Sequence, residues 1–489
     1  MKHLSNGFLI LLFLVSFSFG AGDSSLMNFQ GGNYTFNFSF ASNLFLGVGT
    51  RVGAMGGDLG GMMPSSEALL WNPANLAFIR GFQYQIDTNV PLMLDPGGFV
   101  DVDSEIRSAV DDGIEDMKSD DFVMADDDYP DMSIKVGTQG QMGSGSLAIQ
   151  RGRYTFAAAM FQPFAFDLDL IGTGLEARIQ AGEEGSALEV TMLSSVDLSL
   201  TTRLNIQGFS LGTGFFITPD WTAGVAYERY SGIAEVNGHF QVEGIMVTAG
   251  NERAFNDPED LGGNELFSNM IGSYKGASSG FKLASTYKLN HNWGVGVVYS
   301  MKQPLELNGD MTIDQRTLPG LDLEAEGDED ILDPTDPEFD ITQPTKTKQL
   351  YNPTSKQLKI DMPGSFGLGI SGKLGVIGLS LNYTRFMGNV AYHYEFKRYE
   401  TDVHYSQGLK LENAIRVGLD MKYIRLGFGV TTATLIDEVD DSEEDSSEMV
   451  PLPNFTLGTG FRLIGNLRTD MILIGIPSGT GKISFYYDL

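Results

Sequence analysis

Apolar and polar residues alternate strictly in several long stretches of the chain. Residues 196–206, 281–289 and 415–423 place apolar side chains at nearly every second position, with polar or small ones between them. This period of two is typical of β-strands with one apolar face. Two of the stretches, 196–206 and 415–423, have the ~9–11 residues that a barrel strand needs to cross a bilayer. Strands of soluble β-sandwiches are usually only about 5–6 residues long. We therefore expect the apolar faces to contact lipid and the polar faces to line a lumen.

Such runs recur from Phe82 to the end of the chain, and helical spacing is scarce. We count about 14 of them, which predicts an all-β fold, a transmembrane antiparallel β-barrel of about 14 strands. The last run alternates four apolar residues, Ile483, Phe485, Tyr487 and Leu489. It resembles the closing strand that the barrel-assembly machinery reads in outer-membrane barrels, although Leu489 replaces the more usual terminal Phe. An ordinary terminal strand is the alternative.

The N-terminus indicates export. Lys2 and His3 precede an apolar run over residues 8–19, and Ser18 and Gly20 are small residues suited to a cleavage site. About 12 apolar residues cannot span a hydrocarbon core of ~30 Å, so residues 1–20 are interpreted as a secretory signal peptide. The mature protein is then either soluble outside the cytoplasm or a barrel in an outer membrane of the Gram-negative type.

Negative charge is concentrated in three tracts. The net charge is -31, and residues 101–131, 324–340 and 437–448 hold 30 of the 63 carboxylates. Like-charge tracts of this kind are usually solvated loops, and the charge argues against nucleic acid as a partner. The absence of Cys excludes disulfides and thiolate metal sites.

One acidic tract has the spacing of a calcium-binding loop. Five residues fall at positions 1, 3, 5, 7 and 12 of such a loop: Asp322, Glu324, Glu326, Asp328 and Asp333. Glu at the third and fifth positions and Asp at the twelfth weaken the match, and no flanking helices are apparent. A solvated loop is the favoured interpretation, with weak Ca²⁺ binding as the alternative. We expect no resident metal or cofactor.

Two motifs carry a family resemblance. A Gly-rich segment with Gly53, Gly56 and Gly57 leads to Asn72-Pro73-Ala74, and a late segment contains Pro363, Ser365, Phe366 and Gly367. Together they resemble the long-chain fatty acid transporter (FadL-type) family of outer-membrane proteins. An Asn-Pro pair is also a common turn, but the Gly-rich lead favours the resemblance.

The resemblance implies a 14-stranded barrel closed by an N-terminal hatch. It places an arm and hatch in residues 21–80 and the barrel, with its acidic loops, in residues 81–489. It also implies passive transport of hydrophobic compounds such as long-chain fatty acids. Binding of a fatty acid carboxylate requires a cationic side chain. Four basic residues on the polar faces of their strands are candidates: Arg203, Lys282, Arg416 and Lys422.

Other functions stay open at this point. Relatives of the family include a component of a Bacteroidetes-type secretion system, so a barrel that docks exported proteins is the main alternative. An open porin conflicts with the hatch signature. We do not expect enzymatic activity, because the candidate nucleotide-binding and hydrolase motifs lack the surrounding structure that they need. A scattered Ser/His/Asp site would leave no detectable signature in the sequence. Residues 34–40 alternate Tyr or Phe with polar residues ahead of the hatch. This extra arm either enters the lumen or pairs with a barrel strand.

Overall fold

The computed structural model describes most of the chain beyond the N-terminus. It covers residues 25–30, 33–42, 49–90, 93–94, 122–124, 131–137, 142–181, 190–248, 252–255, 266–316, 348–349, 357–398, 401–421, 423–439, 449–474 and 480–488. The predicted signal peptide and most of the three acidic tracts lie outside these residues. In the described residues, no helix is long and apolar enough to cross a membrane.

Strands dominate the described residues, as the alternation predicts. They are β1 (Ser25–Gln30), β2 (Asn33–Ser42), β3 (Phe82–Val90), β4 (Met93–Leu94), β5 (Phe122–Met124), β6 (Asp131–Gly137), β7 (Met142–Arg151), β8 (Tyr154–Ala181), β9 (Val190–Thr218), β10 (Trp221–Thr248), β11 (Glu252–Phe255), β12 (Leu266–Lys288), β13 (Trp293–Lys302), β14 (Leu305–Arg316), β15 (Lys348–Gln349), β16 (Gln357–Ile360), β17 (Gly364–Leu374), β18 (Ile377–Met387), β19 (Asn389–Arg398), β20 (Thr401–Asp420), β21 (Ile424–Val439), β22 (Met449–Ile464), β23 (Leu467–Ile474) and β24 (Thr480–Asp488). The helical elements are a single turn, α1 (Ala68–Trp71), and two 3-10 helices, Gly53–Met55 and Pro73–Phe78.

The strands close into a 14-stranded antiparallel barrel. Each wall strand pairs with its neighbour in sequence, and β24 pairs with β3 over eight residues to complete the ring. Several wall strands appear as more than one segment in the described residues; examples are β13–β14, β16–β17 and β18–β19. Turns of only a few residues join the strands at one end, which is the arrangement at the periplasmic end of outer-membrane barrels. The predicted fold class is confirmed.

An apolar belt surrounds the barrel. Large apolar side chains point outward and are exposed near the short-turn ends of many strands; examples are Phe156, Leu211, Leu283, Val417 and Phe485. Inward positions between them carry small or polar residues, because successive side chains of a strand face opposite sides. A closed wall with this outer surface satisfies its backbone hydrogen bonds and faces lipid with apolar groups. The chain is thus a multi-pass barrel of the outer membrane.

The orientation expected for residues 196–206 was wrong. Val196, Leu198, Leu204 and Ile206 are buried inside the barrel, whereas the polar residues between them face outward. The outer face of β9 changes from apolar at Phe209 to polar at Gln207. This stretch therefore extends beyond the lipid belt, where water solvates the outer face and the apolar residues turn inward. The stretches around 281–289 and 415–423 do face lipid with their apolar sides.

The N-terminal arm pairs with the wall and does not enter the lumen as a strand. β2 runs antiparallel to β8 and parallel to β6, between the two. β1 continues the same arrangement between β8 and β5. Of the two alternatives for the arm, pairing with a barrel strand is thus the one observed. Almost every residue from 49 to 80 is buried or half-buried.

Candidate functional site

Residues Gly49–Arg80, called the plug below, fill the barrel near its short-turn end. Polar side chains from strands on all sides bind it. These hydrogen bonds join Asp87 of β3 to Thr50, Ser146 of β7 to Ser66, Thr286 of β12 to Asn72, Ser371 of β17 to Asp58, Asn382 of β18 to Leu59, and Thr456 of β22 to Ala54. Because the partners surround the plug, it lies within the lumen and obstructs it.

The side chain of Asn72 makes three hydrogen bonds and links the plug to the wall. Its Nδ2 donates to the Leu59 carbonyl oxygen at 2.6 Å and to Thr286 Oγ1 at 2.9 Å, and its Oδ1 accepts from the Ala74 amide at 3.0 Å. Its backbone is extended, with φ -145° and ψ 95°, because Pro73 disfavours a helical residue before it. This conformation ends α1 at Trp71. Asn72 thus joins two parts of the plug to the wall while fully buried.

Glycines of the wall make room for the plug backbone. A β-carbon at Gly214 or Gly224 would lie 2.5 Å from the Pro73 carbonyl oxygen, and one at Gly427 would lie 2.9 Å from that of Ala54. At Gly296, a β-carbon would overlap the Leu59 carbonyl oxygen. The plug therefore packs backbone against backbone, which is a common reason for glycine within strands. The three residues Asn72, Pro73 and Ala74 all lie at this contact, and Ala74 is fully buried.

The three glycines of the Gly-rich segment occupy the opposite side of the plug. Gly53 begins a 3-10 helix, and Gly56, with φ 66°, ends it. A β-carbon at Gly56 would lie 3.1 Å from Cβ of Arg416 on β20. Gly57 has φ 113° and faces the Trp71 ring, so a side chain here would be both strained and obstructed.

The late motif lies where β17 begins, beside the plug. Pro363 precedes the strand, Ser365 and Gly367 line an internal cavity, and Phe366 is exposed on the lipid side. A β-carbon at Gly367 would lie 3.1 Å from Cδ1 of Leu59. The two motifs, about 290 residues apart in sequence, therefore meet at Leu59.

Two buried carboxylates face each other where the plug meets β3. Gln85 Nε2 donates to both, to Glu67 Oε1 and to Asp87 Oδ1. Glu67 also accepts from the backbone amides of Thr50 at 3.1 Å and Val52 at 3.4 Å, which fastens the start of the plug. Burial, and next the Asp87 carboxylate, raise the pKa of Glu67 to about 8. The neutral acid is thus the form that suits the docked plug.

A cavity of about 150 Å³ adjoins the plug on the side of the long loops. Leu59, Leu70 and Trp71 of the plug form part of its lining, and Phe161 and Tyr230 of the wall form another part. It lies at the level where the wall strands are interrupted. Two prolines line the cavity at irregular points of the wall: Pro163, where the register of β8 with β9 shifts, and Pro363, which precedes β17.

The apolar surface continues from the cavity toward the long loops. Side chains of β9, β10, β12, β14 and β16 form one buried cluster with the plug; it includes Leu69, Leu204, Ile206, Tyr274, Leu305, Leu307 and Ile360. An interior of this kind favours hydrophobic molecules over water, by ~25 cal/mol per Å² of apolar surface buried.

Three basic side chains make one side of the cavity polar. Lys282, Lys302 and Arg416 all belong to its described lining, which includes no carboxylate. Lys282 Nζ donates to Glu228 Oε1 at 2.6 Å and to the Leu70 carbonyl oxygen at 2.7 Å. The Tyr230 hydroxyl donates to the other Glu228 oxygen at 2.5 Å. Lys302 Nζ lies 5.7 Å from the centre of the Tyr230 ring.

The four basic candidates have different locations. Lys282 and Arg416 line the cavity, as described above. Arg203 does not: it lies on the outer face of β9, and its Nε is 3.1 Å from Asp167 Oδ1. Its assignment to the lumen was wrong for the same reason as the orientation of 196–206. Lys422 lies outside the described residues.

Lys302, Glu228 and Tyr230 were missed from the sequence. A signal existed for Lys302, since the inward phase of β13 runs through Gly294, Gly296, Val298 and Ser300 to it.

The described residues contain no group of side chains arranged to hold a metal ion. The candidate calcium loop, residues 322–333, lies outside the described residues, so weak Ca²⁺ binding there stays a prediction.

No protein-family model matches the chain, and no curated protein matches it. Solved structures do. They include the toluene transporter TbuX of Ralstonia pickettii, with 13% identity and a TM-score of 0.45, covering 91% of this chain and 99% of that one. The toluene transporter TodX of P. putida has 15% identity and a TM-score of 0.47, with 91% and 99% covered. A FadL homologue of Pseudomonas aeruginosa has 12% identity and a TM-score of 0.48, with 90% and 98% covered.

Proposed function

We propose that this barrel carries hydrophobic compounds across the outer membrane by passive diffusion, as a member of the FadL-type family. The observation that carries the proposal is the amphipathic cavity beside the plug, together with the buried apolar cluster that continues from it toward the long loops. A molecule leaving water for this interior gains ~0.8 kcal/mol per CH₂ group buried. Such a gain needs no energy source and no covalent chemistry.

The proposed ligands are acidic amphiphiles, with long-chain fatty acids among them. The cavity of about 150 Å³ is large enough for one benzene ring. It therefore holds one end of a long alkyl chain, or a compact aromatic group, and the rest of the molecule lies along the apolar interior. The three cations at the cavity suit a carboxylate, since a charge-assisted hydrogen bond is stronger than a neutral one.

Uptake by vesicles containing the purified protein tests this proposal. Labelled oleate should enter these vesicles faster than protein-free ones. Lys302→Met, which removes a cavity cation, should weaken oleate binding by about tenfold, the size expected for one charged hydrogen bond. Lys275→Met on the outer face of β12 is the control and should bind as the unaltered protein does. Equal uptake with and without the protein would refute the proposal.

The docking function is the second candidate. A polar, tightly filled lumen would favour it, whereas an unfilled cavity that is continued by a buried apolar cluster supports transport. An open porin is disfavoured by the plug hydrogen bonds to strands around the ring. Planar-bilayer recordings address this directly, since a plugged barrel carries little steady current.

A further inference from the structure

Four arginines meet where the plug approaches the short turns of β21, β22 and β23. Arg425 is the second residue of β21, Arg462 lies two residues before the end of β22, and Arg468 is the second residue of β23. Arg51 of the plug lies near enough for its charge to interact with those of Arg425 and Arg468. These four residues are called the arginine cluster below.

The wall arginines of the cluster share the inner face of the barrel. A β-carbon at Gly458 of β22 would lie 2.6 Å from Cβ of Ala54 in the plug, and one at Gly460 would lie 3.0 Å from Nη1 of Arg425. This face of β22 therefore points into the lumen. Arg462 is two residues beyond Gly460 and lies on the same face, because successive side chains of a strand alternate.

The carboxylates nearest to the cluster already have partners. Asp470 Oδ1 accepts from Arg425 Nη1 at 2.6 Å, and Asp420 Oδ1 lies 3.7 Å from Arg425 Nε. Asp420 is also the register partner of Arg425, so opposite charges face each other between β20 and β21. Asp488 of β24 accepts from Gln83 Nε2 at 3.4 Å. The negative charge at this end is therefore used mainly by Arg425.

The other three arginines of the cluster form no ion pair with any residue that the structure describes: Arg51, Arg462 and Arg468. Arg462 and Arg468 are direct register partners. Directly opposite side chains have β-carbons ~4.5–5.5 Å apart, and like charges at such positions are destabilising. The Nε of Arg51 is buried without a hydrogen-bond partner in the described residues, which also costs free energy. A bound anion would offset both costs.

We propose that the arginine cluster is an oxyanion-binding site at the short-turn end, which takes a phosphate or carboxylate group. The planar guanidinium group binds both of these groups through two parallel hydrogen bonds. The cavity lies on the long-loop side of the plug, so this site is separate from the three cations there. Because Arg51 belongs to the plug and the other three arginines to the wall, the bound anion also links the plug to the wall.

Calorimetric titration of the full-length protein with inorganic phosphate tests the site. The protein is held in a zwitterionic detergent at constant ionic strength. Arg462→Gln and Arg468→Gln should each weaken phosphate binding by about tenfold, the size expected for one charged hydrogen bond. Arg229→Gln replaces an exposed arginine of β10 and is the control, which should bind phosphate as the unaltered protein does. Absence of phosphate binding, or equal affinity in Arg462→Gln and the unaltered protein, would overturn the proposal.

Thermal unfolding, followed by mobility on gels, gives a second and independent readout. In phosphate-free buffer, Arg462→Gln should unfold at a higher temperature than the unaltered protein, because one of two opposed like charges is removed. Phosphate should raise the unfolding temperature of the unaltered protein more than that of the variant. A lower unfolding temperature for Arg462→Gln in phosphate-free buffer would contradict the proposal, because Arg462 would then be stabilising without an anion.

Two soluble amphiphiles distinguish the sources of the oxyanion. Tighter binding of dihexanoyl phosphatidylglycerol than of phosphate, with the same loss in Arg468→Gln, would identify a phospholipid headgroup. Tighter binding of hexanoate, with that loss, would identify a carboxylic acid, and equal affinity of all three would identify the free anion. Binding of either amphiphile that is unaffected by Arg468→Gln and Arg462→Gln would count against the cluster as its site. None of these measurements depends on oleate uptake, so their outcome is separate from that of the transport function.

Discussion

Replacing Asn72 by alanine should release the plug without unfolding the barrel. The substitution removes two donated hydrogen bonds, to Leu59 O and Thr286 Oγ1, and one accepted from the Ala74 amide. All of these groups are buried, so water does not replace the lost partners while the plug is docked. The barrel wall keeps its own backbone pairing, because Asn72 is not part of it.

Because Leu59 and Ala74 belong to the plug itself, all three bonds break only when the plug unfolds locally as it leaves the wall. The expected cost for this release is about 3 kcal/mol, taking about 1 kcal/mol for each lost hydrogen bond. This raises the population of the undocked plug by about 150-fold, since 1.4 kcal/mol corresponds to a factor of ten. Asn72→Asp gives a sharper comparison. It keeps an acceptor for Ala74 but loses both donors, so it should also undock the plug if contact with the wall is what matters.

Thiol labelling measures the undocked population. Ser65 is buried, and its hydroxyl has no hydrogen-bond partner in the described residues, so Ser65→Cys is a mild reporter. When the plug opens and closes faster than the thiol reacts, the labelling rate of this Cys is proportional to the fraction of molecules with an undocked plug. We expect labelling to rise by about 150-fold with Asn72→Ala, and not with Asn413→Ala on the wall. Equal rates for Asn72→Ala and the reporter alone would refute the role of Asn72 in holding the plug.

Three further outcomes are expected. The raised pKa of Glu67 means that docking is fully stabilised below its ordinary pKa of 4.5 and loses stability as pH rises through about 8. Plug opening, recorded as bilayer conductance, should therefore increase between these values, and Glu67→Gln should make the increase smaller. Gly296→Val should displace Leu59 and raise conductance, while the folded barrel keeps its mobility on unheated gels; unchanged conductance would contradict the packing described. Leu283→Arg in the lipid belt should destabilise folding into vesicles by about 2–4 kcal/mol, whereas Ser199→Arg should change it by less than about 0.5 kcal/mol.

Strand positions could be predicted from the sequence because alternation records the two faces of each strand. Residues 415–423 show this well, with Ile415 and Val417 toward lipid and Arg416 toward the lumen. Alternation does not say which face meets lipid, however. For residues 196–206 the apolar face is internal, and only the long polar outer run from Ser195 to Gln207 distinguishes this stretch from a membrane-spanning one.

The candidate site was only partly predictable. The family resemblance located the plug motif, and strand phase selected Lys282 and Arg416. The contacts of Leu59 with Gly296 and Gly367 join segments hundreds of residues apart, which no local pattern encodes. The same holds for Glu67, whose carboxylate looks like an ordinary helix-start residue until β3 brings Asp87 beside it.

The placement of β2 also fixes an order of construction. This strand leaves the export machinery ahead of every other wall segment except β1, yet both of its neighbours come from residues 131–173, roughly a hundred positions later. It has no edge to join until those residues have been delivered and arranged. The earliest part of the wall to arrive is therefore among the last to be installed, and the nascent barrel must leave a vacancy for it.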